Sequence, residues 1–123
     1  MRNKFKVLAI VMLVLFIAAN ALAITISVTR SYKIDRESAR EGTIDFDSSY
    51  PTGGEAVTAA NFKLSGIRWM DIRNTADASG NYRQFEFVDA SSNIKVRDAS
   101  GNEIGNGTSL STLTGVKFRV FGY

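Results

Sequence analysis

Along most of the chain, apolar and polar residues alternate with a period of two. Because successive side chains of a strand point to opposite faces, this alternation predicts β-strands with one buried face and one face in water. Five segments have the pattern, with mostly β-branched or aromatic residues on the apolar side: residues 24–29, 43–47, 84–87, 94–97 and 116–120. Residues 67–73 predict a sixth strand, and its apolar residues on both faces indicate a central or doubly covered position.

The predicted turns contain an internal repeat. The pentapeptide Asp-Ala-Ser-Gly-Asn occurs at residues 77–81 and again at 98–102, and the variant Asp-Ala-Ser-Ser-Asn lies between them at 89–93. Asp closes a tight turn through its side chain, and Gly and Asn tolerate positive φ. The spacing is typical of hairpins between short strands and predicts a β-meander. Only short helical turns are expected, at residues 58–62 and 109–113.

Short strands, Gly-rich turns and scarce helix together predict an all-β fold. We expect a single small antiparallel β-sandwich or barrel over residues 24–123, preceded by a hydrophobic N-terminal helix or leader. The mixed charges of residues 30–41 indicate a solvated connector between two strands of this domain.

Residues 1–23 have a different character from the domain. A basic start is followed by an unbroken apolar run at residues 7–19 and then by Ala21-Leu22-Ala23, an A-x-A cleavage signature. This order is typical of a secretory signal peptide cleaved after Ala23. Two alternatives stay open: a retained membrane anchor, the only part of the chain expected to contact a membrane, or a start codon assigned too far upstream.

The amino-acid composition excludes several classes of function. The chain of 123 residues has a net charge of +3 and neither His nor Cys. Arg2, Lys4 and Lys6 account for the whole net charge, so residues 24–123 are neutral and binding to nucleic acid is not expected. Without His or Cys there is no Ser-His-Asp triad, thiol nucleophile, disulfide or zinc ribbon. We therefore expect a protein that is not an enzyme and has no cofactor.

Asp45 and Asp47 are two positions apart on a predicted strand, so their carboxylates would share one face at roughly 6–7 Å. That spacing could hold a cation or form a catalytic carboxylate pair. A solvated outer face is the favoured interpretation, because Ile44 and Phe46 occupy the opposite face. No metal is predicted.

Two places are candidates for protein contacts. Tyr50 precedes Pro51 in a loop, and an aromatic residue on a stiffened loop is a good interface anchor; the alternative is that Tyr50 folds back onto the body. Phe121 and Tyr123 fall on the face that Lys117 and Arg119 make polar, where exposure would create an apolar contact patch. The alternative there is local coverage.

The run Gly-Thr-Ile-Asp-Phe-Asp-Ser-Ser-Tyr-Pro-Thr-Gly-Gly-Glu at residues 42–55, with the ending at 113–123, resembles small structural proteins of tailed bacteriophage capsids. The resemblance covers nearly all of the domain. It implies a decoration or cement protein in the virion that binds the major capsid protein or copies of itself, as a homo-oligomer on a symmetric assembly. It brings no catalytic residues.

The leader does not fit that resemblance. Phage heads assemble in the cytoplasm, and a protein exported by a signal peptide could not reach them before lysis. A second hypothesis takes the cleavage signature at Ala21 and Ala23 at face value. On that hypothesis the protein is a secreted or periplasmic bacterial β module that binds a surface, a glycan or a partner protein.

Overall fold

The computed structural model describes residues 24–123; the predicted leader, with Ala21 and Ala23, lies outside the described residues. Within the described residues there are eight strands: β1 Thr25–Ile34, β2 Glu37–Asp45, β3 Glu55–Ala56, β4 Ile67–Ile72, β5 Thr75–Ala76, β6 Tyr82–Val88, β7 Asn93–Arg97 and β8 Val116–Gly122. One turn of 3₁₀ helix spans Ala59–Phe62, with Thr58 as its N-cap residue.

The strands form two four-stranded antiparallel sheets, which confirms the predicted all-β class. The first sheet has the order β1-β2-β8-β4 and the second the order β3-β7-β6-β5. A single apolar core joins residues of both sheets in a sandwich-like arrangement. Its buried members include Ile44, Ile72, Val116, Phe118 and Val120 from the first sheet and Ile94 and Val96 from the second.

The predicted meander is present as β5, β6 and β7. Both copies of the repeat close in the same way: the Asp77 carboxylate accepts the Asn81 backbone N–H at 2.9 Å, and Asp98 accepts that of Asn102 at 3.0 Å. Gly80 has a φ of +85°, in the left-handed region that the glycine permits. The identical sequence therefore produces the identical turn.

The predicted connector at residues 30–41 is wrong, because these residues form most of a hairpin. β1 continues to Ile34, a two-residue turn at Asp35 and Arg36 follows, and β2 starts at Glu37. The prediction was wrong because charges of mixed sign were taken to mean a loop. In the hairpin they lie on neighbouring strands, and Arg30 is directly opposite Glu41.

An irregularity interrupts the pairing of β1 with β2. The register shifts between Val28 and Arg30, which is the signature of a β-bulge. At the same level the backbones approach so closely that a Cβ on Gly42 would lie 1.8 Å from the carbonyl oxygen of Ser27. A glycine at position 42 is therefore required by the close approach of the two strands.

β4 lies at an edge of the first sheet, so the predicted central position for residues 67–73 is wrong. A second bulge, between Ile67 and Trp69, shifts the register of β4 against β8. Apolar residues occur on both faces of β4 because Ile72 enters the core while Trp69 packs against the outer face of the sheet.

Candidate functional site: the outer face of the first sheet

The cross-strand register sorts the outer face of the first sheet into an aromatic half and a charged half. Residues paired across antiparallel strands share a face. One row of paired residues runs Tyr32, Ala39, Phe121, Trp69 from β1 to β4. The aromatic half consists of Ile34, Tyr32, Trp69, Phe121 and Tyr123. The charged half consists of Arg30, Glu41, Thr43, Asp71, Arg73, Lys117 and Arg119.

In the aromatic half, Trp69 lies flat on Phe121. The ring centroids are 4.2 Å apart and the rings are nearly parallel, at 15°. Phe121 is buried by this contact, whereas Trp69 remains 48% exposed. Because β4 is an edge strand, no further strand of this sheet lies against the opposite face of Trp69. Trp69 therefore covers the apolar surface of Phe121 and presents a new aromatic surface to solvent.

The C-terminal residue extends this aromatic surface. Tyr123 is 65% exposed, and the guanidinium of Arg68 lies 5.8 Å from the centre of its ring. Its main chain is fixed, because the backbone N–H groups of Ser65 and Gly66 both donate to the Tyr123 carbonyl oxygen. Aromatic rings and Arg on a rigid backbone are the residue types that dominate binding energy at protein interfaces.

The charged half is organised around Glu41. Its carboxylate accepts hydrogen bonds from the Tyr32 hydroxyl at 3.0 Å and from Arg119 Nε at 2.8 Å, and Arg30 Nη1 lies 3.6 Å away. The Tyr32 hydrogen bond and then the Arg119 hydrogen bond lower the pKa of Glu41. Glu41 is thus held ionised in the middle of the sheet face.

A shallow groove of about 440 Å³ lies in the charged half, next to this cluster. Glu41, Thr43, Asp71, Arg73 and Lys117 are among the residues that line it. Ligand sites in proteins have volumes of about 300–1,000 Å³, but most are lined by apolar groups. The polar lining of this groove is suited to a ligand rich in hydrogen-bonding groups.

Tyr50 is not an exposed anchor, which corrects that part of the interface prediction. Its side chain is fully buried, and its hydroxyl donates to Glu103 at 2.9 Å and accepts the backbone N–H of Val96 at 3.1 Å. Burial raises the pKa of Tyr50 to about 12. The alternative placement, in which Tyr50 folds back onto the body, is the one observed. Pro51 is exposed and begins a tight turn, since its carbonyl accepts the Gly54 N–H.

Asp45 and Asp47 do not share a strand face, because β2 ends at Asp45. Asp45 is exposed and accepts the backbone N–H of Gly115 at 2.7 Å, whereas Asp47 accepts that of Ser49 at 3.0 Å. Asp47 neighbours Glu55, a buried carboxyl on β3. Burial first, and then the negative charge of Asp47, raise the pKa of Glu55 to about 7. Within residues 24–123, no group of three or more acidic side chains is placed to hold a metal ion.

Phe121 and Tyr123 lie together in the aromatic half, as the sequence analysis paired them, but Phe121 is covered by Trp69. Trp69 and Tyr32 were missed as members of the surface. Their position depends on the pairing of β1 with β2 and of β4 with β8. The only signal in the sequence was the apolar Trp69 on the polar side of its own strand.

Among residues 24–123, no helix is long and apolar enough to cross a membrane. Comparison of the chain with protein-family models, with curated proteins and with solved structures found no match.

Proposed function

We propose that the protein is a non-enzymatic structural component of a tailed-bacteriophage virion, where it binds the capsid exterior and stabilises it. The aromatic half of the first sheet carries this proposal. Trp69 and Tyr123 expose large aromatic rings on a backbone fixed by strand pairing. The segment at residues 113–123, which resembles phage capsid proteins, contributes Phe121 and Tyr123 to that surface.

The binding partner under this proposal is the major capsid protein, with neighbouring copies of this chain as a second contact. A capsid repeats the same site many times by symmetry, so a modest contact made by each copy adds up over the shell. Exposed aromatic rings bury a large area with few rotatable bonds, which suits them to such a contact.

The first test is the protein composition of purified virions. Particles of the phage that encodes this chain, freed of cell debris, are expected to yield its peptides by mass spectrometry in a fixed ratio to the major capsid protein. Intact particles that lack the chain would refute the proposal. A virion peptide from residues 7–19 would show in addition that the leader is retained.

A second test identifies the surface. Particles stripped of the chain are incubated with the protein, and binding is measured by co-sedimentation. Tyr123→Ala is expected to weaken binding at least tenfold, because it removes the most exposed ring of the aromatic half. The matched control is Tyr82→Ala, which removes a 45% exposed tyrosine from the second sheet. Equal loss of binding by both variants would contradict the assignment of the surface.

The second candidate is a secreted or periplasmic bacterial β module, and one observation favours it. β1 begins at Thr25, directly after Ile24, so cleavage after Ala23 would release the described domain with no strand lost. Cell fractionation with N-terminal sequencing tests it. A chain that begins at Ile24 outside the cytoplasm supports export, and an intracellular pool with an intact leader contradicts it.

A further inference from the structure

The groove of the charged half contains two cations that face each other. The Arg73 backbone N–H donates to the carbonyl of Lys117 at 2.9 Å, so the two residues are cross-strand neighbours on the outer face. Neither belongs to an ion pair among residues 24–123. Like charges on neighbouring strands repel each other, and an anion between them would convert this repulsion into two attractive contacts.

The same groove also contains hydrogen-bond acceptors. Asp71 and Glu41 line it beside the Thr43 side chain, which can both donate and accept. Carboxylates in a groove accept hydrogen bonds from the hydroxyl groups of a sugar, which a DNA backbone does not offer. The lining therefore matches a ligand that has both an anionic group and several hydroxyl groups.

Trp69 does not line this groove but lies beside Asp71, which does. It precedes Asp71 by two positions on β4, so the two side chains share the outer face at roughly 6–7 Å. Its free face is directed to solvent because the other face covers Phe121. The electron-rich face of an aromatic ring attracts the polarised C–H groups of a sugar ring. A flat platform thus lies next to the acceptor Asp71.

We infer that this groove binds an acidic oligosaccharide, whose sugar rings carry a carboxylate beside their hydroxyl groups, with Trp69 as the stacking platform. Arg73 and Lys117 hold the carboxylate of one sugar unit, Asp71 and Glu41 accept from hydroxyl groups, and a neighbouring sugar ring of the same ligand stacks on Trp69. This inference goes beyond capsid binding and does not depend on it.

The chain contains a single tryptophan, which makes the test direct. The protein as cells produce it is titrated with tetragalacturonate, a uronate oligosaccharide, and the fluorescence of Trp69 is recorded. Stacking of the sugar is expected to shift the emission to shorter wavelength. Maltotetraose, a neutral saccharide of equal length, and a single-stranded thymidine tetranucleotide are titrated in parallel, and both are expected to bind at least tenfold more weakly.

The variant Arg73→Gln with Lys117→Gln removes the two facing cations and is expected to weaken tetragalacturonate binding at least tenfold. The matched control is Lys33→Gln with Arg36→Gln, which removes the same two charges at the turn of the β1–β2 hairpin. The control is expected to change the affinity less than twofold. Both pairs are exposed, so neither variant should disturb the fold.

Four results would overturn the inference: no response to tetragalacturonate, equal affinity for maltotetraose, equal or tighter binding of the tetranucleotide, or equal loss in the control variant. None of these results tests the capsid proposal. It is tested through Tyr123→Ala on stripped particles, whereas the saccharide site is tested through Arg73 and Lys117 on the free protein.

Discussion

Tyr50, in the loop after β2, and Tyr123, after β8, lie at opposite extremes of exposure. Tyr50 is fully buried and its hydroxyl connects two distant parts of the chain, whereas 65% of Tyr123 is in contact with solvent. Both backbones are fixed by hydrogen bonds, so rigidity does not distinguish them. The difference lies in what faces each ring: a polar partner inside the fold for Tyr50, and solvent for Tyr123. Tyr50 therefore stabilises the fold, and Tyr123 is available for binding.

The strongest test of this contrast is to remove each ring in turn. Tyr50→Ala is expected to lower the free energy of unfolding by about 3–5 kcal/mol, because it leaves a cavity in a core that cannot close over it. Tyr123→Ala should cost less than about 1 kcal/mol, since it exposes little new apolar surface. Chemical denaturation of both variants provides the measurement. If Tyr50→Ala and Tyr123→Ala lowered the free energy of unfolding by similar amounts, the two tyrosines would not differ in their contribution to stability.

The next largest effect concerns Glu55, which lies beside the Tyr50 loop. Its pKa of about 7 in the folded protein exceeds the ordinary value of 4.5, so the folded state binds the proton more tightly than the unfolded state does. Stability should therefore fall as the pH rises from about 4.5 to about 7. The linked change is roughly 3 kcal/mol for a shift of this size.

Glu55→Gln isolates this effect, because a neutral amide imitates the protonated carboxyl and can still donate to Asp47. We expect the variant to gain stability relative to the wild type as the pH rises through that window, measured by denaturation at several pH values. Glu86→Gln, which changes an exposed carboxylate on β6, is the matched control. Parallel curves for wild type and Glu55→Gln would show that Glu55 does not titrate in this way.

A smaller change sharpens the comparison by removing only a hydroxyl. Tyr50→Phe leaves the buried N–H of Val96 and the Glu103 carboxylate without their partner, at a cost of about 1–3 kcal/mol. Tyr82→Phe removes an exposed hydroxyl and should change stability by less than about 0.5 kcal/mol. Stability is measured by thermal and chemical unfolding. Equal stabilities of Tyr50→Phe and Tyr82→Phe would contradict this expectation.

A modest effect on stability is expected for Trp69→Ala. Loss of the stacked pair and exposure of Phe121 should cost about 1–2 kcal/mol. The same variant is expected to lose at least tenfold in tetragalacturonate affinity, measured by calorimetry because the fluorescent residue is gone. Trp69→Phe retains an aromatic cover for Phe121 and should recover most of the stability. A large loss of stability with unchanged affinity would place Trp69 with Tyr50 rather than with Tyr123.

The six longer strands could be predicted at least in part because each one contains its own evidence, whereas the two-residue strands β3 and β5 were not predicted. The alternation at residues 116–120 and the repeated turn at Asp77 and Asp98 depend on neighbours within a few positions. The hairpin at residues 30–41 was missed because its charges pair across strands, Arg30 with Glu41, and not along one strand. The pattern of residues along one strand does not show which charges pair with those of a neighbouring strand.

The surfaces could be predicted only in part, because they depend on partners far away in the chain. The direction of Tyr50 is decided by Glu103, 53 positions later. The burial of Phe121 is decided by Trp69, which reaches it only through the pairing of β4 with β8. Without the strand order, neither partner can be identified, so the sequence could name aromatic candidates but not sort them into buried and exposed.

The bulge near Val28 has a consequence for molecules that are crowded together. β1 is ten residues long and lies at the edge of its sheet, where an unpaired backbone can accept a strand from a neighbouring molecule. The shift in register bends that edge, and Arg30 and Lys33 add positive charge along it. We therefore expect this edge to pair poorly with the edge of another copy, so that the irregularity disfavours fibre formation.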